Sequence, residues 1–141
     1  MKVKKLIVDY TFDFELYGLT TSLKDYKLAW LINQQLNIKL IRSDDYSLES
    51  GSDLIEIINY RFEEELSELR LFKNKAVLEG QNAQQYLVSE MKHFDYFILV
   101  KGIIHTFAAY DLLQELRAIE GLQLINQIDI EKLKSKEHFI F

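Results

Sequence analysis

The stretch LIEIINYRFEEELSELRLF, running from Leu54 to Phe72, decides the fold class. Its first half, Leu54 to Phe62, is β-branched and aromatic, with Ile58, Tyr60 and Phe62 alternating with polar neighbours. A period of two puts one side of a strand in a core and leaves the other wet. Glu63 to Glu65 make a polar turn, and Leu69 to Phe72 read as the returning strand. The stretch is therefore expected to be an antiparallel hairpin with one solvated face. A helical reading of Arg61 to Arg70 competes with it, because Glu, Leu and Arg all favour helix; the strand reading is preferred.

Upstream, Ser43 to Asp53 is rich in Asp, Ser and Gly and lacks a sustained apolar period, so it reads as loop. Ile38, Leu40 and Arg42 begin a strand before it. Leu23 to Asn37 reads as a helix, with Ser22 and Asp25 resembling a capping box and Asn37 as its stop. Within it, Leu23, Tyr26, Trp30 and Asn33 lie near one stripe, widened by Leu28, Leu31 and Ile32. Packing of Tyr26 and Trp30 on the sheet is the expectation. Asp9 to Leu16 alternates as a further strand, ended by Gly18.

Downstream, Lys73 to Lys92 suggests turns, with a short helix from Ala83. Asp95 to Lys101 is an apolar, central strand closed by Gly102. His105 or Thr106 starts a helix, Phe107 to Glu120, with Ala109, Leu112, Leu113, Leu116 and Ile119 as its apolar stripe and Gly121 as its cap. Leu122 to Ile128 alternates as a strand, Asp129 caps a short turn through Leu133, and Phe139 to Phe141 pair as an edge. The order is β-α-β-β-β, loop, β-α-β. It implies an α+β two-layer sandwich, with two main helices on a mostly antiparallel sheet of about five or six strands, broadly ferredoxin-like in order.

Composition narrows the function. At 141 residues the chain is the size of one domain, 1–141. It holds no cysteine, so disulfides, thiolate nucleophiles and Cys-type zinc sites are excluded. The N-terminal apolar run is cut short by Asp9, Asp13 and Glu15, and no run approaches the roughly 20 residues of a membrane span, so a cytoplasmic location is expected. A net charge of −5 disfavours a large nucleic-acid footprint. Charge is segregated: Asp44 to Glu68 holds nine acids against Arg61 alone. Lysines cluster at Lys2, Lys4 and Lys5 and again at Lys132, Lys134 and Lys136.

Leu87-Val88-Ser89-Glu90-Met91-Lys92-His93-Phe94-Asp95-Tyr96 resembles the signature of the bacterial IPExxxVDY family, with Val88, Glu90, Phe94, Asp95 and Tyr96 in register and Ser89 in place of the proline. Phe14-Glu15-Leu16 with Gly18, Asp25-Tyr26-Lys27-Leu28-Ala29-Trp30 with Asn33, Phe97-Ile98-Leu99-Val100 with Gly102, and Leu133-Lys134-Ser135-Lys136 ending at Phe141 are similar to its other segments, in the same order. The resemblance implies a bacterial cytoplasmic protein and supplies no activity.

Chemistry-bearing patterns are sparse. His93, His105 and His138 show no metal-ligand spacing, no serine sits in a nucleophile elbow, and no glycine-rich phosphate loop occurs. No catalytic residue, metal or cofactor is assigned. The candidate ligand- or partner-binding residues are Asp25, Tyr26, Trp30 and Asn33 on the helix, Asp95 and Tyr96 at the opening of the central strand, and Lys134 near the C-terminus. The expected function is a non-enzymatic interaction or regulatory module, binding an unknown protein or a second copy of itself. The alternative is a small-molecule sensor with its site near Asp25, Trp30 and Asn33.

Overall fold

A computed structural model describes residues 14–50, 53–77, 83–102 and 112–139. The expected strand residues before Phe14, the N-terminal lysine cluster, His105 and the expected start of the second helix, and the last two residues lie outside them. Among the described residues six strands and two α-helices follow in chain order. They are β1 (Phe14–Thr21), α1 (Asp25–Leu36), β2 (Ile41–Ser50), β3 (Asp53–Glu64), β4 (Ser67–Lys73), β5 (Tyr96–Lys101), α2 (Leu112–Arg117) and β6 (Leu122–Ile128).

The sheet order is β2-β3-β4-β5-β1-β6, and every neighbouring pair is antiparallel. The fold is α+β, but the ferredoxin-like order is not the one adopted. In a ferredoxin-like arrangement each βαβ unit is split by a single strand, whereas here three strands, β3, β4 and β5, lie between β1 and β2. Here α1 carries the chain from β1 to the far edge of the sheet, and β2 to β5 then return as a meander to pair with β1. The hairpin of β3 and β4 settles the competing readings of residues 61–70 as strand, with Arg61 opposite Arg70 and Phe62 opposite Leu69.

The stretch read as loop, Ser43 to Asp53, is instead mostly strand. Its pairing shifts register between Ser43 and Tyr46, so Asp44 and Asp45 form a bulge. Buried Asn59 donates its side-chain amide to the Asp44 carbonyl at 2.7 Å, satisfying the acceptor that the bulge frees. Gly18 does not end β1 either. An added Cβ there would lie 2.6 Å from the Phe94 ring, so the glycine makes room for an aromatic side chain laid across the strand.

Each face of the sheet has its own core. On one side Leu28, Ala29, Ile32 and Leu36 of α1 and Leu116 of α2 pack against Leu19, Leu69, Leu71, Ile98 and Ile125. The other side carries Leu16, Ile57, Phe72, Phe97 and Leu99, and no helix of the described residues covers it. It is covered by Leu87, Val88 and Phe94 from the β4–β5 connection and by Leu133 and Phe139 from the C-terminal segment. Three short 3₁₀ turns, Ser89–Met91, Ile130–Lys132 and Lys136–Phe139, shape these covers. The first replaces the helix expected from Ala83. The last holds Phe139 in the core, where an edge strand was expected. Asp129 does cap its turn, accepting from the Glu131 amide at 3.1 Å.

An irregular cover over an apolar face must satisfy its own backbone. Asn74, 0% exposed, does so for the β4–β5 connection. Its amide nitrogen donates to the Phe94 carbonyl at 2.9 Å and the Met91 carbonyl at 3.1 Å. Its side-chain oxygen accepts from the Val88 N–H at 2.8 Å. Its backbone N–H and C=O bond Asp95 O at 2.9 Å and Leu87 N at 2.8 Å. Replacing Asn74 with Ala orphans several buried groups, each costing about 1–3 kcal/mol. Asn74→Ala is therefore expected to lose at least about 3 kcal/mol in urea unfolding, far more than truncation of an exposed asparagine. An Asn74→Ala midpoint close to wild type would refute this role.

Candidate functional site

The candidate residues on α1 divide into two groups. The first is at its N-terminus. The capping box does not form: Lys24 is the N-cap and makes no side-chain cap bond. Thr21 orders the chain just before the helix, its Oγ1 accepting from the Leu23 N–H at 3.1 Å while donating to the Gly121 carbonyl at 2.7 Å. Asp25 accepts a hydrogen bond from the Tyr60 hydroxyl at 2.7 Å, and the Tyr96 hydroxyl donates to the Leu23 carbonyl at 2.7 Å. Two tyrosines from the sheet thus reach through the core to hold the start of the helix. The Arg42 guanidinium lies 5.9 Å from the centre of the Tyr60 ring and pairs with Asp45 at 2.6 Å.

Both hydroxyls are kept protonated. Burial, then the bond to Asp25, pushes Tyr60 up to about 12. Burial, with the charges of Asp25 and Asp95 nearby, pushes Tyr96 well above the usual tyrosine value.

The second group faces outward. Tyr26 is 64% exposed and Trp30 53% exposed, so neither packs on the sheet as expected. The reason is rotational. Residues two apart on a helix lie about 200° apart, and the buried stripe begins at Leu28 and continues through Ile32. Tyr26 and Trp30 share the opposite side, with the Lys27 ammonium 4.8 Å over the Trp30 ring. Asn33, at the border, is committed: its oxygen accepts from the Leu40 N–H at 2.7 Å and its nitrogen donates to the Leu40 carbonyl at 3.3 Å. The three residues of the expected sensor site therefore point to three places.

Asp95 precedes β5 and clamps the end of β1, its carboxylate accepting from the Thr21 N–H at 2.9 Å and its N–H donating to the Leu19 carbonyl at 2.7 Å. An open cleft of about 260 Å³ lies beside it, lined by Thr21 to Lys24, Lys73, Lys75, Asp95 and Tyr96. Three of its lining residues are lysines, a concentration of positive charge that no motif in the sequence announces.

Lys134 lies on the other face of the sheet. The Glu90 carboxylate accepts from the Ser135 hydroxyl at 2.7 Å and the Ser135 N–H at 2.8 Å, and the Lys134 backbone adds a further bond. Burial alone would raise Glu90, but these bonds outweigh it and hold the carboxyl below its usual value. Lys134 thus contributes its backbone, and its side chain is exposed. Val88, Glu90, Phe94, Asp95 and Tyr96, the residues that carry the family resemblance, are all occupied in closing the fold. His93 stacks on Phe94 and His138 contacts the Leu87 carbonyl. No three metal-ligating side chains gather, and no helix is long and apolar enough to cross a membrane, among the described residues. No family model matches the chain, and no curated protein matches it.

A tyrosine whose folded pKa is raised stabilises the fold fully below its unfolded value and loses that contribution as pH climbs through the folded one. For Tyr60 the window runs from about 10 to about 12. Wild-type stability is therefore expected to fall across this window more steeply than that of Tyr60→Phe. Parallel curves in urea melts at stepped pH would count against the Tyr60 hydroxyl as the source.

Proposed function

We propose that this chain is a non-enzymatic protein-interaction module whose docking surface is the outer face of α1. The observation that carries the reading is the exposure of Tyr26 and Trp30 on one side of a helix whose other side is buried. Large aromatic side chains are the residues most enriched at interface centres, and leaving two of them in water is costly unless something covers them. Lys27 stands over the Trp30 ring of the pair, so the complementary surface is an acidic protein segment with an apolar centre. The polar candidates elsewhere support the same reading. Asp25, Asp95, Asn33 and Tyr96 each hold a backbone or side-chain group in place.

A second reading rests on the lysine-lined cleft beside Asp95, which fits a small anionic ligand better than the site first expected at Asp25, Trp30 and Asn33. The two readings separate in one experiment. A photoreactive cross-linker is placed at position 34, one helical turn beyond Trp30, and the chain is irradiated in its own cells. The interaction reading expects one dominant protein adduct carrying an acidic segment at the cross-link. That adduct falls at least about tenfold with Tyr26→Ala/Trp30→Ala, the loss expected of two interface anchors, and persists with Lys73→Gln/Lys75→Gln. An adduct pattern indifferent to the aromatic pair overturns it. Ligand-induced stabilisation abolished by Lys73→Gln/Lys75→Gln would favour the cleft instead.

A further inference from the structure

The two edges of the sheet are built differently. β2 closes one edge with Arg42, Asp44, Asp45 and Glu49 and with the bulge at Asp44 and Asp45. Both edge strands carry a bulge, so what separates them is charge, a device that keeps an edge from pairing with another strand. β6 closes the other edge with Leu122-Gln123-Leu124-Ile125-Asn126-Gln127-Ile128, which holds no charge and no proline in seven residues. Among the described residues it pairs only with β1, from Leu16 opposite Ile128 to Thr21 opposite Leu122, with a register shift between Thr20 and Thr21 that leaves Gln123 as a bulge near its start. Leu124 is 42% exposed upon it. Two open grooves follow the strand. One of about 350 Å³ is lined by Arg117 and residues 122–126, and one of about 480 Å³ by residues 127–131. Both are walled by consecutive residues of this strand and its continuation rather than by β1, which puts them along its outer side.

We infer that β6 is the self-association edge of this protein and pairs antiparallel with β6 of a second copy. An antiparallel pairing of one strand with itself is self-complementary about a two-fold axis, as an isologous interface requires. With the axis at Ile125, Leu124 lies opposite the second copy's Asn126, in the regular stretch that follows the bulge at Gln123. No like charges meet, because the strand has none. The ends are complementary as well. Arg117 sits at the start of the groove, and Asp129 and Glu131 sit at its end. Antiparallel pairing brings the start of one copy to the end of the other, placing Arg117 near those two carboxylates. In the single chain Asp129 caps its own turn through the Glu131 amide at 3.1 Å, and its nearest cation is the exposed Lys132 at 3.9 Å.

The same pairing resolves the electrostatic objection that a chain of net charge −5 repels its copy. The acids concentrate on β2, β3 and β4, at the opposite end of the sheet from β6. Strands lie about 4.8 Å apart, so the two β2 edges of the joined sheet would stand roughly 50 Å from each other. That distance is several times the Debye length of about 8 Å in physiological salt. This inference stands apart from the α1 reading, since it uses a different surface and a different partner.

Sedimentation velocity of the full chain in a dilution series tests it. The expected result is a dimer that dissociates on dilution. Leu124→Lys/Asn126→Lys sets lysine opposite lysine and is expected to weaken the dimer by roughly tenfold or more. Leu124→Lys/Asn126→Glu carries the same new lysine but sets it opposite a carboxylate, and is expected to restore the dimer. Hydrogen exchange on the unaltered chain guards against a folding defect in either variant: β6 amides should lose protection on dilution while β2 amides do not. Tyr26→Ala/Trp30→Ala should leave the dimer intact. A monomer at every concentration, a dimer indifferent to the lysine pair, concentration-independent exchange in β6, or a dimer lost with the α1 variant would each overturn the assignment.

Discussion

The buried side-chain amide of Asn74 is the interaction on which the rest of the structure depends. A sheet with an apolar side must bury it, and both helices of the described residues are spent on the other face. The remaining face is closed by irregular chain, whose backbone donors and acceptors have no ladder to join. One asparagine, with two donors and an acceptor on its side chain and one of each on its backbone, meets the carbonyls of Met91 and Phe94 and the amides of Leu87 and Val88. That connection in turn delivers Phe94 onto Gly18, Glu90 onto Ser135 and Asp95 onto the end of β1. The second core, the C-terminal segment and the seat of α1 all follow from it.

The sequence was most legible where periodicity is a local property. Leu54 to Phe62, Leu122 to Ile128 and the apolar run into Lys101 are strands as read, and Asn37 stops α1 by turning left-handed at φ 57°. It was misleading where polar residues serve the backbone. Ser43 to Asp53 looks like loop because Asp44 and Asp45 occupy a bulge, and the partner that makes the bulge tolerable, Asn59, is fifteen residues away. Asn74 looks like a turn residue for the same reason. Gly18 reads as a terminator because composition cannot show a phenylalanine ring arriving from position 94.

The candidate site divided along a similar line. Helical spacing correctly put Tyr26 and Trp30 on one side of α1, yet spacing alone does not say which side faces the sheet. The aliphatic stripe of Leu28, Ile32 and Leu36 competes for the core, and it fits against the sheet without desolvating a hydroxyl or an indole N–H. The aromatic pair is left outside. Asp95 was singled out at the opening of its strand, whereas its partner, the Thr21 amide at the end of β1, and the convergence of Lys24, Lys73 and Lys75 beside it come from separate elements and have no signature in the chain.

Charge and pairing potential are distributed across this sheet in opposite senses. The hairpins that carry the acids carry the guarded edge, with Glu68 held between Arg61 and Arg70 at 2.9 and 3.0 Å. Burial pushes the Glu68 carboxyl upward, and the two guanidiniums overcome it and keep the group below its usual value. A carboxylate pinned in this way is neutralised by its two guanidiniums, so the anionic character of this end rests on the other acids between Asp44 and Glu65. The uncharged edge lies where their repulsion of a second copy is weakest. A chain that needed only to remain monomeric would gain by placing one lysine in β6, as many edge strands do. The absence of any charge from Leu122 to Ile128 is therefore better explained by pairing than by chance neglect of an edge whose counterpart is so heavily guarded.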